Sequence, residues 1–244
     1  MLLQRQHLFM LVSATALSFV ACGRQVTPNP PGLGPGGAPP GYIAFFFDTQ
    51  APFIFSQYQY MFVINATGNR VTPSTDTIQT NWAGYEFMLI ATGNGITSYA
   101  KPYYLAHGSN PHFPPQWYPL GSTPQLFSYN LNNNGSGTEF SMLAKRVIFD
   151  YNPSPSPSPS STPSNLWTFN AFVAQAQSGG TWTFYDSMGA GGPIDPQYVS
   201  PTLCMSEPFD QTFFPQGNFT GGDPAAQIVS VEIANNPISP TPCP

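Results

Sequence analysis

Charged side chains are so scarce in this chain that most helical and nucleic-acid-binding architectures are excluded. Only 7% of its 244 residues are Asp, Glu, Lys or Arg, whereas an ordinary soluble domain carries about 25%. Long surface helices and coiled coils need Glu, Lys and Arg on their solvent-facing side, and six Lys and Arg residues cannot supply them. A nucleic-acid-binding surface has to be basic, but the formal net charge is −5. We therefore predict that the protein has no nucleic-acid partner.

The apolar residues predict an all-β fold. Hydrophobic residues make up 41% of the chain and aromatic residues 15%, which is enough for a core and more than disordered chains usually carry. β-forming runs alternate with turns that are rich in the 29 Pro and 22 Gly residues. We expect a single β-sandwich, immunoglobulin-like or jelly-roll in topology, with long Pro- and Gly-rich loops. The expected strands are residues 42–47, 57–64, 85–91, 126–131, 140–149, 166–177, 181–186 and 227–234.

The first 21 residues have the pattern of an export signal. Arg5 precedes an apolar run, residues 8–17, that is too short to span a bilayer. The segment ends in Val20 and Ala21, directly before Cys22. Small residues before a cysteine resemble the signal of bacterial lipoproteins. The resemblance implies cleavage before Cys22 and a lipid on that cysteine, so that the exported protein is anchored to a bacterial membrane, in the periplasm or at the cell surface. The alternative is cleavage by an ordinary signal peptidase, which would leave Cys22 an incidental thiol.

Composition divides the rest of the chain into a tether, a body and a tail. Residues 22–41 are dominated by Pro and Gly, which favours a tether that holds a domain away from a membrane. The expected sandwich covers residues 42–236, and residues 237–244 form a Pro-rich tail. The Pro-Ser repeat at residues 152–165 either separates two domains or forms a loop within one. We expect a loop, because the strands that follow the repeat are too few for an independent core.

The three cysteines indicate one disulfide. If Cys22 carries a lipid, Cys204 and Cys243 remain as a pair. In an oxidising compartment the two can form a bridge that pins the Pro-rich tail to the body. The alternative is two unpaired thiols.

Four segments of the body, residues 42–49, 82–90, 166–174 and 226–232, resemble a known group of β-sandwiches. That group includes family 9 carbohydrate-binding modules and DOMON domains. The resemblance covers under half of the body. It implies an immunoglobulin-like sandwich and a sugar-binding or small-ligand-binding role.

Aromatic residues crowd into one Pro-rich stretch, residues 99–118. So many prolines make a poor central strand, and we expect a loop there. Exposed rings in this loop would suit stacking on sugar faces or anchoring of a partner protein, whereas a loop folded back over the sandwich end would hide its own rings. The candidate ligand-binding residues are Tyr103, Tyr104, Trp117 and Tyr118. The competing hypothesis is a structural protein of the cell envelope that meets other proteins through its uncharged surface.

Residues that could carry catalysis or bind a metal ion are few and dispersed. Glu86 and Glu139 would suit a glycoside hydrolase, which needs one protonated and one ionised carboxyl group. The alternative is that strand alternation places Glu86 on the solvent face while its two neighbours point inward. His107 and His112 share a loop without a nearby third ligand, so we expect no metal ion and no other cofactor. The sequence therefore favours binding over catalysis.

Overall fold

The computed structural model describes residues 37–67, 82, 84–107, 115–121, 123–132, 137–151, 165–177, 182–190, 195, 198, 200–217 and 222–243. All of these residues belong to one compact unit, Gly32–Pro244. The export signal, Cys22, His112 and nearly all of the Pro-Ser repeat lie outside the described residues.

The described residues form twelve strands and two short 3₁₀ helices, and every strand pair is antiparallel. The 3₁₀ helices are Arg146–Asp150 and Pro224–Ala226. The strands are β1 Tyr42–Thr49, β2 Gln59–Asn65, β3 Phe87–Gly93, β4 Ser98–Ala106, β5 Gln116–Pro119, β6 Phe127–Asn130, β7 Glu139–Lys145, β8 Leu166–Ala176, β9 Trp182–Ser187, β10 Thr202–Cys204, β11 Phe209–Phe213 and β12 Ile228–Asn236.

The strands form two sheets packed against each other, which confirms the expected all-β sandwich. Sheet A has the order β11-β12-β1-β7-β6. Sheet B has the order β8-β2-β3-β4-β5, and both β9 and β10 pair with the long β8. The loop after β1 crosses from sheet A to sheet B, so β1 and β2 run in opposite directions between the same two ends of the sandwich. We name them by β1: the Tyr42 end, where β2 finishes, and the Thr49 end, where β2 starts.

An aromatic core fills the space between the sheets because alternate residues of each strand point into it. Phe47 of β1 lies 5.6 Å from Phe62 of β2 and 5.4 Å from Phe140 of β7, measured between ring centroids. All three side chains are almost completely buried. Burial of each such ring stabilises the fold by about 1.5–3 kcal/mol, so this cluster accounts for much of the adhesion between the sheets.

The C-terminal tail is fastened to the Tyr42 end. Cys204 and Cys243 form a disulfide with 5.9 Å between their Cα atoms. The Thr241 N–H also donates to the Ser206 carbonyl at 2.9 Å. At the same end the Gly41 N–H donates to the Asn236 carbonyl at 2.6 Å, so the chain enters β1 beside the point where it leaves β12.

The expectation of a loop over residues 99–118 was wrong. Strands β4 and β5 occupy most of it, and Pro102 lies in the middle of β4. The Leu105 N–H donates to the Glu86 carbonyl. By alternation this places Pro102 in a non-hydrogen-bonded pair with Leu89 of β3. The Pro102 nitrogen, which carries no hydrogen, therefore faces the end of β5. The sheet loses only one backbone hydrogen bond there.

A second difference concerns the strand expected at residues 140–149. Strand β7 stops at Lys145, and Arg146–Asp150 turn into a 3₁₀ helix. The turn buries Ile148 and Phe149 under the Tyr42 end of the core. The Phe149 ring lies 4.9 Å from the Trp167 ring. A buried 3₁₀ turn and a buried strand end have the same composition, so the sequence does not distinguish the two.

Candidate functional site

The outer face of sheet B carries a second apolar cluster, on the side away from sheet A. A sandwich sheet commonly presents polar residues on its outer face, but β2, β3 and β8 each contribute apolar side chains to both faces. The side chains of this outer cluster come from five strands and from the segment before β3. Its buried members are Met61, Val63, Trp82, Tyr85, Met88, Ile90, Leu105, Phe172, Ala174 and Phe184.

Two tryptophans show that this outer face is strongly concave. Trp117 lies on β5 and Trp182 on β9, at opposite edges of sheet B. On a flat sheet, five strand spacings would separate these strands by about 24 Å. The two indole rings nevertheless lie 6.0 Å apart and within 7° of parallel. The sheet edges therefore curl toward each other, and the paired indoles bridge the hollow between them.

A third tryptophan fills part of the hollow from outside the strands. Trp82 is completely buried, and its ring packs edge-on against Phe172, Trp182 and Phe184 at 5.3–5.7 Å. Its backbone is left-handed, with a φ of 55°, a conformation uncommon for a bulky residue. The Asn65 side-chain amide holds this segment by donating to the Gly84 carbonyl at 2.6 Å. Ring packing and this bond together stabilise the unusual backbone.

The part of the hollow that Trp82 leaves open is a cleft of about 170 Å³. We call it the sheet B cleft. Tyr103 and the paired indoles line it, and Tyr99 is 39% exposed beside it. The polar groups in the lining are Gln59, Thr92 and Lys101. Among the described residues the buried Gln59 Oε1 has no hydrogen-bond partner, so the cleft holds an unused acceptor.

Strand alternation separates the four residues that the sequence proposed as one surface. Tyr103 and Trp117 lie on the outer face of sheet B, with ring centroids 5.3 Å apart. Tyr104 and Tyr118 are directly opposite each other on β4 and β5 and point to the other face. Their rings pack with Tyr151, at 5.5 Å and 6.5 Å. The structure brings Tyr103 and Trp117 into the cleft and leaves the other two outside it.

Of the eight described residues that line the cleft, the sequence predicted only Tyr103 and Trp117 as ligand-binding. The other six are Gln59, Ile90, Thr92, Tyr99, Lys101 and Trp182. The spacing Tyr99-Lys101-Tyr103 is the period of two expected for one face of a strand. The prolines of the stretch, which predict a loop, obscure this signal. Trp182 was placed in an expected strand, but nothing in the sequence indicates that β9 curls over to meet β5.

The two glutamates considered for glycoside hydrolysis do not share a site. Glu86 lies just before β3 at the Tyr42 end of sheet B, where its carbonyl accepts the Leu105 N–H. Glu139 lies opposite Asp48 at the Thr49 end of sheet A and is exposed. The lengths of β1 and β2 correspond to about 20 Å or more between these ends, which exceeds the roughly 5–9.5 Å between the carboxyl groups of glycosidases.

Strand alternation predicts that Glu86 lies on the solvent face, but in the structure it does not. Its side chain is partly buried, and the Ala66 N–H donates to Oε2 at 2.9 Å. Burial raises the pKa of Glu86 to about 7, although the hydrogen bond from Ala66 favours the charged form. Its neighbours point to different clusters, Tyr85 to the outer cluster and Phe87 to the core. Glu86 therefore marks a boundary between the two.

His107 and the buried Asp186 also have structural partners. His107 Nε2 lies 2.7 Å from the Tyr85 carbonyl. The buried Asp186 of β9 accepts the Ile228 N–H of β12 at 2.6 Å and the Ser187 N–H at 2.9 Å. Burial raises the pKa of Asp186 to about 6. Within the described part of the chain, no group of three or more His, Cys, Asp or Glu side chains is placed to hold a metal ion.

Among the described residues, no helix is both long and apolar enough to cross a membrane. Comparisons of the chain with known protein families, with curated protein sequences and with solved structures found no match.

Proposed function

We propose that this protein is a carbohydrate-binding β-sandwich, held at a bacterial membrane by a lipid on Cys22, and that sugar binds in the sheet B cleft. One observation carries the proposal. Tyr99, Tyr103, Trp117 and Trp182 converge on a single concave face although they come from three strands, and each keeps part of its ring accessible. Such rings present flat apolar faces to the C–H groups of a sugar.

The polar lining supports a sugar rather than a purely apolar ligand. Gln59 and Thr92 lie on the same face as the rings, on β2 and β3. Both side chains can hydrogen-bond a sugar hydroxyl. Among the described residues the Gln59 Oε1 atom has no partner of its own, which is unfavourable for a buried acceptor. The cleft volume of about 170 Å³ is below the roughly 300–1,000 Å³ of drug-sized sites. It therefore suits one sugar residue of a longer chain.

The test is retention of the full chain on a panel of immobilised neutral and acidic polysaccharides. We expect Trp117→Ala to lower the affinity for the retained glycan by about tenfold or more, the effect of losing a central aromatic anchor. Tyr118→Ala is the matched control, because Tyr118 is the next residue of the same strand and faces away from the cleft. Thermal melting of both variants separates loss of binding from loss of folding.

Absence of retention on every glycan in the panel would refute the proposal. So would equal losses for the two variants when both remain folded, since the ring in the cleft would then have no special role.

The membrane anchor is supported by the sequence before the tether, where Cys22 follows Val20 and Ala21. A Cys22→Ser variant expressed in a bacterial host is expected to lose incorporation of labelled fatty acid. Unchanged labelling would show that Cys22 is not the attachment point. This result does not depend on whether the cleft binds sugar.

A further inference from the structure

Among the described residues, the sheet B cleft is lined by a single charged side chain, and that side chain is cationic. It is Lys101, and none of the other described lining residues is acidic. The two nearby described carboxyl groups that are buried or partly buried, Asp186 and Glu86, have other partners. Asp186 accepts the Ile228 N–H of sheet A, and Glu86 accepts the Ala66 N–H at the Tyr42 end. An anion in the cleft would therefore meet a positive charge and no carboxylate from the part of the lining that the structure describes.

Strand register places Lys101 in the middle of the aromatic face. It is directly opposite Ile90 on β3, and on its own strand Tyr99 and Tyr103 flank it at two residues on either side. Its Nζ lies 5.0 Å from the centroid of the Tyr99 ring. A ring at that distance attracts a cation and keeps the ammonium group over the face.

Lys101 is also free to bind an external anion. The structure shows no ion pair between Lys101 and any described residue, and its polar contact is the ring of Tyr99. The only other described cations are on or next to β7. Lys145 is the last residue of that strand, and Arg146 donates to the Asn165 side chain at 2.8 Å. Lys101 is exposed, so its ammonium group is accessible to an anion that enters the cleft from solvent.

Because the whole chain is negatively charged, binding of an anion would point to the local cation in the cleft. The formal net charge is −5, so the molecule as a whole repels polyanions and non-specific adsorption to them is weak. Binding of an acidic glycan would therefore have to arise from a local site.

We infer that the sheet B cleft recognises an acidic sugar, with Lys101 contacting its carboxylate or sulfate while the rings of Tyr103 and Trp117 contact its apolar face. The inference rests on the proposed carbohydrate-binding function and specifies the substrate class of the same site. A uronate and a sulfated sugar share the anionic group that Lys101 would bind.

The experiment compares matched glycans that differ in charge. One pair is oligogalacturonate and its methyl ester, and the other is carrageenan and agarose, a sulfated and an uncharged galactan. We expect the full chain to bind the acidic member of at least one pair about tenfold more tightly than the neutral member, the usual size of one charge-assisted contact. The pair that discriminates identifies the anionic group.

Variants then assign the discrimination to the cleft. Lys101→Gln is expected to lower the affinity for the acidic glycan by about tenfold and so to remove most of the difference between the acidic and the neutral member of the discriminating pair. Lys101→Arg, which keeps the charge, is expected to retain binding. Lys145→Gln removes the same charge from sheet A and is the matched control. The affinity of this variant for the acidic glycan is expected to equal that of the wild type.

Equal affinity for the charged and neutral members of both pairs would overturn the inference and leave the carbohydrate-binding function standing. Equal effects of Lys101→Gln and Lys145→Gln would overturn it too, because only overall charge would then matter. Failure to bind any of the four glycans would refute the inference and count against the proposed function as well.

Discussion

The two faces of sheet B both carry aromatic clusters, but they differ in the kind of ring and in its contact with solvent. Between the sheets the cluster is mainly phenylalanine, such as Phe47, Phe62 and Phe140, and these rings are almost fully buried. On the outer face the partly exposed rings are tyrosine and tryptophan. Phe has no polar atom, whereas Tyr and Trp keep one group for water or a ligand. Strand alternation therefore places the fully buried packing rings between the sheets and the partly exposed rings on the outer face of sheet B.

The first test of this comparison removes a core ring. Phe47→Ala is expected to lower the free energy of unfolding by about 4 kcal/mol, the cost of a large cavity in a packed core. Phe47 contacts rings from both sheets, including Tyr60 at 5.7 Å and Phe140 at 5.4 Å. Urea unfolding followed by circular dichroism measures the change. A loss below about 1 kcal/mol would mean that the inter-sheet cluster is not the main stabilising core.

The second test concerns the edge that carries Trp182. Asp186→Ala removes the acceptor for the backbone N–H groups of Ile228 and Ser187. Leaving two buried donors unpaired is expected to destabilise the fold by about 3 kcal/mol. Asp186→Asn keeps one acceptor and is expected to cost roughly half as much. Equal unfolding midpoints in urea for Asp186→Ala and the wild type would contradict a link between the cleft wall and sheet A.

The third test uses pH at the boundary between the two clusters. Because burial raises the pKa of Glu86 from 4.5 to about 7, the folded chain holds this proton more tightly than the unfolded chain does. The contribution of Glu86 to stability is therefore fully present below pH 4.5 and is lost as pH rises to about 7. Asp186, with a pKa of about 6, acts in the same direction.

Glu86→Gln is expected to remove the Glu86 part of this slope and to stabilise the protein at pH 8 by about 2 kcal/mol relative to wild type. Denaturant unfolding at pH 4.5 and pH 8 measures it. Glu139→Gln, which removes an exposed carboxylate from sheet A, is the control for the change in charge. A wild-type stability that rises between these pH values, with an unchanged slope in Glu86→Gln, would contradict the assignment.

The smallest expected change in stability is on the outer face. Tyr99→Ala is expected to alter the free energy of unfolding by less than about 0.5 kcal/mol, because its side chain is 39% exposed. If the cleft binds sugar, the same substitution lowers glycan affinity. A stability loss comparable with that of Phe47→Ala would erase the distinction between the two clusters.

The fold was largely predictable because the strands with strong apolar patterns are the buried ones. The expected strands at residues 42–47, 166–177 and 227–234 correspond to β1, β8 and β12. Strand β4 was missed because Pro102 argues against a central strand, and the sequence does not reveal that its missing donor faces the end of a short neighbour. The polar, short β10 and β11 have no periodic apolar signal long enough to detect.

The candidate site was predictable only in part, since it depends on which face each ring occupies and on sheet curvature. Tyr103 and Tyr104 are equivalent as sequence, and only the register of β4 sends the first to the cleft. Trp117 and Trp182 are 65 residues apart in the chain and meet because sheet B curls. The partial burial of Glu86 likewise follows from where β3 begins.

Strand β1 has a mechanical consequence that follows from its position. It is the central strand of sheet A, bonded along its length to β12 on one side and β7 on the other. A force applied through the residues before Gly41 would pull β1 lengthwise, so that its hydrogen bonds to both neighbours would bear the load together and not break one after another. The tail beside its entry is locked by the Cys204–Cys243 disulfide. A chain pulled from its N-terminal side would therefore resist by shear, the stronger of the two ways in which a β-sheet can be loaded.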